Sequence, residues 1–155
     1  MQLIDDVLLL SASDLVAFLE CQHLSALDLR VARGLVLVEA GRTEASELLA
    51  RKGDQHERAY LESLVARGVE VVSVPSVVDG VADQAEAARR TEEAMRAGAE
   101  VIYQAALLHG GWRGFADFLE RVPAPCPAFG EYSYSDARAL AGPPAGADAR
   151  AVGLR

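Results

Sequence analysis

Two segments rich in apolar and strand-forming residues, Glu100–Leu108 and Trp112–Arg121, flank the tripeptide His109-Gly110-Gly111. Paired glycines supply the positive φ angles that a tight hairpin turn requires, so the spacing predicts a β-hairpin. The second segment is unusual. Phe115 and Leu119 occupy one face and Trp112 and Phe118 the other. A strand apolar on both faces belongs in the interior of a sheet. Two further segments can supply neighbours. Val69–Val74 is short, β-branched and stopped by Pro75, and Glu131–Tyr134 follows the hairpin.

The rest of the chain reads as helix. Ser11-Ala12-Ser13-Asp14 precedes Leu15-Val16-Ala17-Phe18-Leu19, and Ser11 with Asp14 has capping-box spacing. Leu24, Leu27 and Val31 keep helical spacing up to Gly34. Thr43–Arg67 reads as a third helix, or two in series broken at Gly53, ending at Gly68. Ala82–Ala97 reads as another, with Gly98 as its stop. The expected class is α/β: N-terminal helices followed by a small mixed or antiparallel sheet.

A length of 155 residues with 51% hydrophobic content suits one globular domain. The composition shifts near the end: residues 136–155 are dominated by Ala, Gly, Pro and Arg and include Pro143-Pro144. The expected division is a domain over 1–134 and a poorly ordered tail over 135–155. No apolar run is long enough to cross a bilayer, and Met1–Leu10 carries Asp5 and Asp6 without a basic residue, unlike a secretory signal. A cytoplasmic location is therefore expected. The net charge of −8 argues against a surface built to grip nucleic-acid phosphates unaided.

Few residues suit chemistry. Asp117 lies inside the strand that is apolar on both sides, where an uncompensated carboxylate is costly. A divalent cation could compensate it, as could a hydrogen bond or an arginine. His56, in Gly53-Asp54-Gln55-His56-Glu57, shares a helix face with Tyr60 and is either a ligand and proton carrier or an ordinary helix histidine. Gln104 is either a satisfied core amide or a support for Asp117. Cys21 and Cys126 provide neither a disulfide framework nor the ligands of a zinc or iron–sulfur site, so a buried apolar role is the default for Cys21.

In order, these segments resemble the RecB-like nucleases of the PD-(D/E)XK superfamily. That group includes the nuclease domains of recombination helicase–nucleases and CRISPR-associated exonucleases. Leu10–Leu15 with Phe18 and Cys21 resembles the opening helix. Gly53-x-x-His56-Glu57 resembles the first active-site motif. Val101–Ala105 followed by Gly114-Phe115-Ala116-Asp117-Phe118 resembles the strand pair ending in the first catalytic aspartate. The similarity is closest to bacterial RecB-like nucleases often joined to a helicase-like region, and it spans residues 1–134. It implies a restriction endonuclease-like fold and a DNA substrate. It also implies Mg²⁺ or Mn²⁺ held by Asp117 and His56, with Glu57, Tyr60 and Gln104 in support.

The pattern then departs from the family. The expected Asp/Glu-x-Lys motif is represented only by Asp136-x-Arg138, and arginine does not replace lysine as a proton-exchanging group. A Gln-x-x-x-Tyr helix is missing, and Cys21 would be an orphan ligand, so a 4Fe–4S cluster is not expected. The resemblance thus implies a domain incomplete at its C-terminus, with a reading frame truncated or shifted after about Tyr134. Two functions follow: a metal-dependent DNA nuclease domain, weak or inactive alone, or a non-catalytic remnant serving as an interaction module.

Overall fold

The structure is a computed structural model that describes residues 1–37, 43–75, 80–123, 126 and 131–136. Its centre is a four-stranded mixed sheet in the order β3-β4-β5-β6, formed by β3 (Val71–Ser73), β4 (Val101–His109), β5 (Trp112–Arg121) and β6 (Tyr134–Asp136). β3 runs parallel to β4, and the other pairs are antiparallel. The expected hairpin is β4–β5. Gly110 and Gly111 take φ angles of 56° and 81°, as a two-residue turn with both central residues left-handed demands.

The parallel pair β3 and β4 is joined across helix α4 (Val81–Arg96), which covers one face of the sheet. Ala87 and Ala94 of α4 pack there with Val74, Ile102, Ala106 and Leu119. Small residues on the inner face let the helix lie close. Its outer face carries ion pairs such as Arg90–Glu86 at 2.9 Å. Thr91, fully buried, donates to the Ala87 carbonyl at 3.1 Å and accepts from the Ala106 amide at 3.0 Å. Helix α3 (Glu44–Ala66) contributes Leu64, Tyr60 and Leu61 to the opposite face, against Val101 and Phe118. It is one continuous helix through Gly53, capped by Thr43, whose hydroxyl accepts from the Ser46 amide at 3.2 Å.

The C-terminal ends of the helices were the most legible feature. At Gly68 and Gly98, φ is 74°, and the Val69 and Ala99 amides each bond back to a carbonyl five residues earlier, Leu64 and Ala94, at 3.1 Å. This is the glycine-terminated Schellman arrangement.

Several expectations change. Residues 1–10 form a hairpin of β1 (Gln2–Ile4) and β2 (Val7–Leu9), turning on Asp5 and Asp6 at φ 49° and 62°. Leu10 then bridges to Trp112, with Leu10 N–H donating to Gly111 O and Arg113 N–H to Leu10 O. Helices α1 (Ala12–Glu20) and α2 (Gln22–Ala32) pack on each other but bury no residue fully. Leu15, Val16, Phe18, Leu19, Leu24 and Leu27 remain exposed among the described residues. The outer half of β5 is likewise uncovered: Trp112 is 43% exposed and Phe115 54%, so β5 is central only from Ala116 onward. β6 begins at Tyr134 rather than Glu131 and takes in Ser135 and Asp136, which composition had assigned to a tail. Residues 137–155, including Arg138, lie outside the described residues.

Candidate active site

Gln104 and Asp117 face each other across the β4–β5 ladder at the one point where it is interrupted. The register pairs Tyr103 with Phe118 and Ala105 with Ala116 and passes over the two residues between them. The cause is Gln104 itself, whose φ is 57°. A left-handed conformation in a non-glycine residue costs about 1–2 kcal/mol, and nothing in a plain strand asks for it.

The distortion accompanies a contact. The Gln104 Nε2 donates to Glu57 Oε1 on α3, and the Tyr103 phenol lies within reach of the same carboxylate. Burial, then the hydrogen bond and charge of Glu57, push the Tyr103 phenol above its usual range. Gln104 opposes this, and the charge of Asp117 adds to it. Asp117 is therefore within electrostatic reach of the Tyr103–Glu57 pair. Glu57, Tyr103 and Gln104 border an open cavity of about 420 Å³ that is also lined by Asp54, Arg58, Ser73 and Pro75.

Helix phase decides which α3 residues take part. Gly53, Glu57, Tyr60, Leu61 and Leu64 form the side turned to the sheet, whereas His56 is exposed. His56 lies about 200° around the helix from both Asp54 and Arg58, on the opposite flank from the cavity. His56 and Tyr60 are one turn apart on the continuous helix, as their spacing requires, but His56 is exposed and Tyr60 half-buried. Tyr60 turns inward, meets Phe118 edge-on at 4.9 Å between ring centroids, and donates to Glu120. Burial, followed by the hydrogen bond and charge of Glu120, pushes its phenol up to about 12.

A second carboxylate stands on the neighbouring strand. Asp136 is in register with Leu119, two residues from Asp117, so the two aspartates are diagonal neighbours on one sheet face. Such positions lie about 7–8 Å apart, close enough for two carboxylates to share one ion. Mg²⁺ commonly uses one or two carboxylates and takes its remaining ligands from water and phosphate. The donor types therefore fit a minimal Mg²⁺ or Mn²⁺ site, although among the described residues no three His, Cys, Asp or Glu side chains converge as a ligand group. The chain's single lysine, Lys52, is on α3 one turn before His56.

Cys21 is corrected from buried to exposed. It joins α1 to α2 in extended backbone, and both cysteines are free and exposed. Among the described residues no helix is long and apolar enough to cross a membrane. No protein-family model matches the chain, and neither a curated protein nor a solved structure does so.

Proposed function

We propose that this chain is a RecB-like, PD-(D/E)XK-type DNA nuclease domain centred on Asp117, weak or inactive in hydrolysis on its own. The observation that carries the reading is the register of β5 with β6, in which Asp136 lies diagonal to Asp117 on one sheet face. The mixed sheet, with α3 bringing the Gly53–Glu57 segment against β4, also suits that fold.

Asp117 and Asp136 would hold Mg²⁺ or Mn²⁺, which would acidify a water and offset charge on the scissile phosphate. The chain's own residues account for the expected weakness. Among the described residues no third carboxylate converges with the aspartate pair, the sequence has Arg138 where the family motif has lysine, and His56 is exposed. With a net charge of −8, the domain would depend on a more basic region, such as an attached helicase-like segment, to retain DNA.

The test is digestion of single-stranded DNA by the full chain with Mg²⁺ or Mn²⁺, alongside Mn²⁺-induced broadening of the Asp117 NMR signals. Slow metal-dependent cleavage, lost in Asp117→Ala, is expected. Absence of both cleavage and broadening at Asp117 refutes the reading. That result would favour a non-catalytic interaction module, which the uncovered apolar side chains of α1 and α2 independently suggest.

A further inference from the structure

The geometry points to Gln104 as a positioning residue: its left-handed backbone turns the side-chain amide out of strand β4 to hold the Glu57 carboxylate beside the Asp54–Arg58 cavity. The inference rests on the proposed site around Asp117 but concerns a different group.

Three observations meet at this residue. The first is conformational. Gln104 is the only described non-glycine residue with positive φ outside the Asp5-Asp6 turn. Hairpin turns often demand such angles, but a strand interior does not. The second is the contact obtained. Gln104 Nε2 donates to Glu57 Oε1, and the Tyr103 phenol, one residue earlier on β4, is raised by the same carboxylate. Glu57 is thus met from two consecutive residues, which ordinary strand alternation would point to opposite faces. The third is location. The ladder lapses at Gln104 and Asp117 together, and the cavity opens beside Glu57. A core amide would need no such distortion, because a regular strand residue on the α3 face could serve it. Local strain tied to a directed side chain is the signature of a site held in place at the expense of stability.

The consequence is an opposition between stability and order. Gln104→Gly removes both the strain and the amide. Gln104→Asn retains an amide and tolerates the left-handed backbone, but is too short to span to Glu57. Both variants, made in the full chain, should melt at or above the wild-type temperature. In the wild type, side-chain couplings and carboxyl ¹³C signals should report one rotamer for Glu57. In both variants those signals should average over several rotamers. Glu57 remaining locked in the variants, or both variants melting several degrees below wild type as loss of a core amide would cause, overturns the inference. Mn²⁺ titration of the same samples separates the two claims. Absence of Mn²⁺ binding in wild type counts against the metal reading, while the rotamer and melting data still decide the role of Gln104.

Discussion

Thr91→Val tests how the sheet is completed where β3 ends. β3 is in register with β4 only as far as Ser73 opposite Tyr103. Three residues further along, the Ala106 amide is buried and its hydrogen bond goes to Thr91 Oγ1 at 3.0 Å. A helix side chain therefore supplies an acceptor that the short strand does not. Valine keeps the shape and branching of threonine but strands that amide, at a cost of about 1–3 kcal/mol. The added apolar group returns up to about 0.8 kcal/mol. The Ala87 carbonyl loses little, since it can keep its ordinary helical partner. A net loss of roughly 1–2 kcal/mol corresponds to a melting point roughly 2–8 °C lower for a domain of this size. Urea denaturation and calorimetry would read the loss. Amide exchange would show whether Ala106 is the source, because its proton should exchange faster in Thr91→Val but not in Thr91→Ser. A valine variant as stable as wild type, with Ala106 exchange unchanged, would refute the reasoning.

Gly98→Ala should cost more than about 1 kcal/mol in the same denaturation assay, because φ is 74° and the new Cβ would sit 2.6 Å from Tyr132 Cζ. Asp14→Asn should lose about 0.3–1.5 kcal/mol of α1 stability, since Asp14 accepts from the Ser11 amide and hydroxyl, both at 2.7 Å. Burial raises the Asp14 carboxyl, but hydrogen bonds from the Met1 ammonium and Ser11 outweigh it and hold the pKa below the usual range. Its contribution should therefore be complete above the unfolded carboxylate value and disappear as pH falls through the lower folded value, a trend absent in Asp14→Asn. Tyr60 works in the opposite sense. With its phenol raised from 10.0 to about 12, stability should fall as pH rises through that interval, and Tyr60→Phe should flatten the alkaline limb of a stability–pH profile.

What could be read in advance followed from local chemistry. Glycine stops at 34, 68 and 98 are set by backbone conformation within a single turn. The Gly110-Gly111 hairpin is equally local. The Asp5-Asp6 hairpin was hidden because its strands have three residues each and expose Leu3 and Val7, leaving no alternation to detect. On α3, His56 stands out in the sequence by its Gly53-x-x-His56-Glu57 context, which carries no information on helix phase, and its side chain is exposed. Gly53, Glu57, Leu61 and Leu64 describe the inward side better, and a full helical projection would have favoured Glu57. The distortion at Gln104 had no sequence signal, since glutamine is not a residue that marks left-handed backbone. Apolar content likewise overstated coverage: Trp112, Phe115 and the leucines of α1 and α2 look like core residues but are open to solvent among the described residues.

The first ten residues touch parts of the chain made much later. Asp5 accepts from the Val81 amide at the start of α4, and Leu10 exchanges backbone hydrogen bonds with Gly111 and Arg113 at the β4–β5 turn. Docking of this hairpin is therefore a long loop closure, entropically costly before its contacts can form. During synthesis the segment must wait, unpaired, until the β4–β5 turn has left the ribosome. The N-terminal strands, although made first, would then lock only after the β4–β5 hairpin is complete, and they are the stretch exposed longest to proteases or self-association while the chain is still growing.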